Sequence, residues 1–587
     1  MQLTWQLEEL YKTKQDYYKA FEKFKNLCQT ELQFKGKLTT RQGQLEYYKL
    51  LDIIGQAQDK LEMYLFLAGD LDGSDAEILE MQQELDNYLN AHEQKTLFAA
   101  QELKKISAKT LQQWSGEKEF KNYKMQLLHL AQEKKHILSA PQEKLLTQMA
   151  QVYNADEVFN TLNDVDIKMG KIKDENGKVV QITQGNYVLY THGNNRRVRQ
   201  NALKALFEPF RQHNQTIAAN FIGFLKYCNF VSKASKYKNT LGMQLESSHL
   251  PQNLPQNVVK NVDKFIPLLH SYFDWRKKFM GIDKFAVGDT TCELFDSTIS
   301  SNYSLEQGLQ LIKKALSPLG EDYVAMLDVA ASEHWIDSIE RPNKRSGAYS
   351  AGLFGSHPYI LATYKGTADC VSTIAHEFGH AMHTYYSDKK QPYATHDYDI
   401  FVAEIASTVN EILLDKYQIA SAKNKNEKID RLSKFVDGFL STVFMQTMYT
   451  EFELFAHGAA DRDEPLTYKK LNDCFDNLFK KYYGKGVIVE DYRKYHWSRV
   501  PHFYRPFYVY KYATGYIAAC AIVQNITTNP NFASVYKTKF LSAGSSQEPC
   551  DILASIGIDI LDPKTYQAGF SLMQDAIDQL KELSKDK

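Results

Sequence analysis

The sequence predicts a mainly α protein, a large helical body with one or two small β elements set into it. Apolar residues recur at helical spacing along most of the 587 residues, and no Pro- or Gly-rich linker or low-complexity tract separates them. Only two short stretches read as strands.

The first helical stretch sets Leu10, Tyr17, Phe21, Phe24 and Cys28 on one face, with Lys, Glu and Gln opposite. Similar amphipathic stretches run through 44–67, 75–89, 97–111 and 142–152, with no fixed-period repeat. A hairpin is expected at 170–183, where Ile172, Val180 and Ile182 flank Asp174-Glu175-Asn176-Gly177; Asn-Gly is the strongest short hairpin signal. The second interruption, 346–364, is rich in Gly and Tyr and ends in Pro358–Tyr364, which reads as a strand. Helices resume at Gly366. The chain is expected to divide near residue 190, into an N-terminal helical region, 1–190, and a catalytic region, 191–587.

The net charge of −1 leaves neither sign dominant, so nothing points to nucleic acid or an anionic membrane as partner. Aromatic residues are the one bias, with 37 Tyr and 32 Phe; a Tyr ring with its polar tip suits helix contacts and the wall of a wet channel alike. Seven scattered Cys without a CxxC pair suit a reducing compartment. The first ten residues carry acids where a signal peptide needs bases, and the apolar run near 516–526 is too short to span a bilayer. The expectation is a cytoplasmic protein.

The chemistry is concentrated in His376-Glu377-Phe378-Gly379-His380. Histidines four apart on a helix project from one face, where two imidazoles can bind one tetrahedral Zn2+ while Glu377 points towards the water such an ion holds. Asp369 is expected to cap this helix. Val371, Ile374, Ala375, Phe378, Ala381 and Met382 form its apolar back, and Thr373, His376, Glu377, His380 and His383 its polar front. The extended pattern HExxHxxGxxH is absent, because His383 and Tyr386 stand where Gly and His would be, which excludes the Met-turn class. A carboxylate from the segment 399–412 is the alternative third ligand. Glu404 and Glu411 lie seven apart, opposite the apolar face of Phe401, Val402, Ile405, Val409 and Ile412, and spacing alone allows either. The small neighbours Ala403 and Ala406 favour Glu404. The other carboxylate, or Ser407 or Thr408, could then hold a ligand His through its second nitrogen.

With these residues in view, the chain resembles oligoendopeptidase F, in the zinc metallopeptidase family that includes thimet oligopeptidase. The matching segments are HEFGHAMH at 376–383, EIASTVNE at 404–411, RPNKRSGAYS at 341–350, PYIL at 358–361, PHFYRPFYVYKYATG at 501–515 and GKIKDENGKVVQITQGNY at 170–187. The resemblance covers essentially the whole chain. It implies a large helical zincin, with a small β-sheet beside the active-site helix and a deep substrate channel that admits short peptides. It also implies that Glu404 is the third ligand of a single Zn2+ ion, with Glu411 in support.

In the related thimet-type enzymes a His and Tyr residues of a comparable C-terminal segment face the zinc. Carried over, His502, Tyr504 and Tyr510 are the candidates to stabilise the charge that develops on the carbonyl oxygen during amide hydrolysis. Tyr359, Ile360 and Leu361 are expected to offer a strand edge on which an extended oligopeptide lies through backbone hydrogen bonds. The expected activity is internal cleavage of oligopeptides, with Glu377 as general base. A carboxypeptidase or dipeptidase would need a closed channel end and a cation for the terminal carboxylate. A non-catalytic binding protein with structural zinc would need a fourth ligand, yet no Cys lies beside the helix face, and Glu377 would have no task.

Overall fold

The helices begin where a side-chain oxygen can close the first turn, and they continue where apolar residues three and four apart can be buried. In the computed structural model, which describes residues 3–295 and 302–585, Thr13 caps Lys14–Glu31, Thr40 caps Arg41–Leu71 and Asp75 caps Ala76–Leu103. The stretches expected at 75–89 and 97–111 are joined differently: the third helix runs unbroken to Leu103, and Ser107 caps a new one, Ala108–Ser115. Two compact units share the chain. The first is built from Met1–Ile137, Ser300–Leu414 and Asn525–Gly557, the second from Leu138–Ile299, Asp415–Gln524 and Ile558–Lys587.

In the first unit Tyr17, Phe21, Phe24 and Cys28 are buried with Leu61, Tyr64, Leu65, Ile78, Met81 and Leu85. Leu10 joins this core from a separate short turn ahead of the helix. Tyr359 and Leu361 reach the same core from a three-stranded sheet, so the N-terminal helices support it directly. The strand β3 (Ile336–Asp337) runs parallel to β5 (Tyr359–Leu361), and β4 (Tyr349–Ala351) runs antiparallel to it, in the order β3-β5-β4.

That order corrects one expectation. Tyr359, Ile360 and Leu361 form the central strand, fully buried and paired on both sides, so they have no edge to offer a peptide. The outer side of β3 is met by the chain start, where the Leu3 carbonyl accepts the Ser338 N–H at 2.9 Å. Among the described residues, no further strand pairs with the outer side of β4. Ile360 N–H donates to the Trp335 carbonyl at 2.6 Å and Ala362 N–H to that of Asp337 at 2.9 Å, so these residues turn their backbone groups towards β3. Tyr359 and Leu361 therefore bond to their partners Ala351 and Tyr349, and Ser350 between them turns its N–H and carbonyl outward.

The second unit contains the expected hairpin, β1 (Lys171–Lys173) antiparallel to β2 (Val179–Gln181). Asp174 closes its turn by accepting the N–H groups of Asn176 at 2.9 Å and Lys178 at 2.8 Å. Ile172 and Ile182 are buried against Val198, Ala202, Leu203 and Leu206. No helix among the described residues is long and apolar enough to cross a membrane.

Candidate metal centre

The HEFGH helix, Ala368–Lys390, starts at Thr367, whose hydroxyl accepts the Cys370 N–H at 3.2 Å. The cap thus falls two residues before Asp369, which stands in the first turn, where its charge faces the positive end of the helix dipole. Val371, Ile374, Ala375, Phe378, Ala381 and Met382 are buried, as an apolar back face requires. His383 departs from the expected front. Its ring is buried and lies 3.6 Å from that of Tyr398, nearly parallel, and burial pushes its pKa down to about 3, so it is a neutral packing group.

Beside this helix runs a second one, Ile400–Ala420, with Phe401, Val402, Ile405, Val409 and Ile412 buried. The two backbones nearly touch at Gly379. A Cβ there would lie 2.6 Å from Ser407 Cα and 2.7 Å from the Ala406 carbonyl oxygen, so no residue larger than glycine fits. Asn410 fixes the pair by donating to the Ala375 carbonyl at 3.0 Å and accepting from the Tyr323 hydroxyl at 3.1 Å. Neither role was visible in the sequence. The available signal was the mid-helix glycine, which costs about 1 kcal/mol against alanine and so needs a packing reason.

This approach brings His376, His380 and Glu404 together. Glu404 Oε2 lies 3.5 Å from His376 Nε2 and 3.4 Å from His380 Nε2. A tetrahedral zinc ion with bonds of ~2.0–2.1 Å sets its ligand atoms about 3.3 Å apart, so these spacings fit the ion. On the far side of the first imidazole, Glu411 Oε1 is 3.2 Å from His376 Nδ1. Ser407 donates to Glu404 Oε2 at 3.0 Å, so it steadies the carboxylate and not a histidine.

The carboxyl groups of the site are driven apart in acidity. Hydrogen bonding to His380 outweighs burial and pulls Glu404 down to about 2. Glu377 is buried beside the histidines, and burial raises its pKa against the opposing pull of His376 and His380. Burial lowers the pKa of His376, but its contact with Glu411 and the nearby carboxylates leaves it above the ordinary value. The two carboxyls thus differ in acidity, Glu404 lying below and Glu377 above the ordinary value.

The residues expected from 501–515 belong to the second unit. Tyr504 is buried in an aromatic cluster, its ring 4.7 Å from that of Phe159, and its hydroxyl accepts from Asn220 at 3.1 Å. Tyr510 is fully buried at the start of the helix Tyr510–Thr528. Among the His and Tyr residues of this segment, the partly open ones are His502, Tyr508 and Tyr512. The His502 and Tyr508 rings lie 6.3 Å apart, Tyr508 and Tyr512 meet edge to face at 5.4 Å, and the Tyr512 hydroxyl is 3.5 Å from His502 Nε2. Burial, then the charge of Arg505, lowers the pKa of His502 and keeps it neutral. His502 thus sits in a partly open polar cluster with Tyr508 and Tyr512, whereas Tyr504 and Tyr510 are buried.

The helical fold, the HEFGH helix and the carboxylate beside it define the class of protein, a metalloendopeptidase. A sequence profile described as Peptidase family M3 matches residues 189–572, and one described as Oligopeptidase F matches 102–168. The chain is 35% identical to Oligopeptidase PepF of Bacillus subtilis, over 99% of its own length and 87% of that protein's. It is 31% identical to an oligoendopeptidase F homolog of Lactococcus lactis, over 99% and 97%. Among solved structures, a peptidase structure from Chlamydophila abortus superposes with a TM-score of 0.91 at 29% identity, covering 99% of this chain and 98% of that one. Oligoendopeptidase-F from Enterococcus faecium gives 0.71 at 25% identity, covering 98% and 100%. The chain belongs to peptidase family M3.

Proposed function

We propose that this chain hydrolyses internal peptide bonds of short oligopeptides, with one zinc ion held by His376, His380 and Glu404. The observation that carries the reading is the convergence of two imidazole nitrogens and one carboxylate oxygen at tetrahedral spacing, with Glu377 on the same helix. The names of the relatives, Oligopeptidase PepF and oligoendopeptidase F, support oligopeptides as substrates. The seven scattered cysteines, without a CxxC pair, suit a cytoplasmic setting.

A bound zinc ion supplies Lewis acidity, polarising the scissile carbonyl and making water acidic near neutral pH. Glu377 takes the proton of the attacking water and passes it to the leaving amine nitrogen. Glu411 orients His376 through Nδ1, and Ser407 holds the Glu404 carboxylate. His502, Tyr508 and Tyr512 donate to the negative charge that grows on the former carbonyl oxygen. His502→Ala, Tyr508→Phe and Tyr512→Phe should then lower kcat and kcat/KM together, by on the order of 100–1,000-fold for a direct donor. Tyr504→Phe and Tyr510→Phe should leave kcat near wild type, and steady-state kinetics on one internally quenched peptide separates the two sets.

An extended peptide finds its backbone partner on β4. The strand runs beside the HEFGH helix, where a Cβ at Gly352 would meet the Thr384 side chain at 2.5 Å. The outward N–H and carbonyl of Ser350 bond to peptide backbone without regard to side-chain identity, which supports broad specificity. Ser350→Pro removes that donor from an edge position that tolerates proline. It should raise KM by about 2–10-fold, the worth of one hydrogen bond, with zinc content unchanged.

The test of the function is digestion of end-blocked and free peptides of graded length, with every cut mapped by mass spectrometry. Internal cuts in blocked peptides are expected. Cuts confined to free ends would make the enzyme a carboxypeptidase or dipeptidase, and zinc-loaded protein without any cleavage would make the metal structural.

A further inference from the structure

The turn that precedes Tyr508 is strained. Phe507 has φ of +55°, a region that bulky side chains avoid and that persists only when surrounding contacts impose it. Two residues of one helix, Met445–Asp461, impose it here. The Phe507 N–H donates to Glu453 Oε1 at 2.7 Å, and the Phe507 ring lies 4.8 Å from that of His457. Glu453 and His457 are one helical turn apart, so they present a single face to the turn.

Both side chains are poor choices for stability alone. They are buried, and burial raises the Glu453 carboxyl well above its ordinary pKa and lowers His457 to about 3. Among the described residues, Glu453 Oε2 and both ring nitrogens of His457 have no hydrogen-bond partner. Polar groups left unsatisfied in a core are destabilising, and an apolar residue of similar size would pack there at lower cost. Among the described residues, the one polar contact that Glu453 makes is with the strained residue.

We propose that Glu453 is a positioning residue, which holds the left-handed turn at Phe507 and thereby sets the orientation of Tyr508 towards His502 and Tyr512. The proposal rests on the donor role assigned above to those three side chains. Reversal of the chain at Phe507 returns the Tyr508 ring to the side of His502 and brings it edge-on to Tyr512. Donors must sit within a fraction of an ångström of their target, and a displacement of about 1 Å can cost on the order of 100-fold in rate. Glu453 touches neither substrate nor metal in this scheme, and it acts only through the backbone of Phe507.

The test compares zinc-loaded, full-length variants on one quenched peptide. Glu453→Leu deletes the acceptor and should lower kcat by on the order of 10–100-fold with KM within about 2-fold. Glu453→Gln, which keeps a neutral acceptor of the same shape, should restore kcat to within about 3-fold of wild type. Combined with Tyr508→Phe, Glu453→Leu should cost less than the product of the two single effects, since both act on one donor. Should Glu453→Leu fail to fold, Glu453→Met removes the acceptor with a more flexible side chain and carries the same expectations. Normal kcat in the Leu or Met variant, while Tyr508→Phe and His502→Ala are impaired, overturns the positioning role and leaves the donor assignment standing. Full activity in Tyr508→Phe, Tyr512→Phe and His502→Ala overturns both.

Discussion

Glu377→Gln is expected to keep its zinc and lose nearly all turnover. Gln preserves the size of the side chain and its place on the buried side of the HEFGH helix, but it cannot accept a proton. Glu377 is not among the three converging ligands, so the metal site should be loaded as in the wild type. A positioned general base contributes on the order of 100–10,000-fold, and in this scheme the same group also delivers the proton to the leaving amine. Metal content and peptide cleavage should be measured on one preparation. Substantial activity in a zinc-loaded Gln variant would remove Glu377 from the chemistry.

The second large effect is expected at the third ligand. Glu404→Ala leaves two imidazoles and no carboxylate converging with them, so zinc should be lost and activity with it. Glu411→Ala removes a contact 3.2 Å from the far nitrogen of His376, and the expected loss of metal affinity is on the order of 10–100-fold. Titration of the apo proteins with zinc ranks the two. If Glu411→Ala bound the metal more weakly than Glu404→Ala, the roles of the two carboxylates would be exchanged.

What the sequence could reveal of this site followed the range of each interaction. His376 and His380 are neighbours by helical geometry alone, so their spacing was sufficient. Glu404 and Glu411 share one face of one helix, and only the contact with another helix distinguishes them. That contact is set by Gly379 against Ser407, which brings the turn at Glu404 to the Nε2 side of the histidines and leaves Glu411 on the Nδ1 side. The strand at Tyr359–Leu361 was legible as an apolar run, and burial of all three residues marks an inner strand. Its neighbours could not be read, because β3 lies more than twenty residues upstream and pairs with it in parallel. The segment 501–515 was legible as chemically rich, yet which of its tyrosines are buried was not, and no glycine announces the positive φ of Phe507. Glu453 and His457, spaced like a solvated helix face, gave no sign that they are buried.

The central claim is that hydrolysis by this chain depends on one zinc ion at His376, His380 and Glu404. The most direct measurement withdraws zinc stepwise with a chelator and restores it, following bound metal per chain and cleavage of one end-blocked peptide in the same samples. The expected result is one zinc per active chain, with activity falling in proportion to metal lost and returning on its replacement. Undiminished cleavage by metal-free protein would contradict the account.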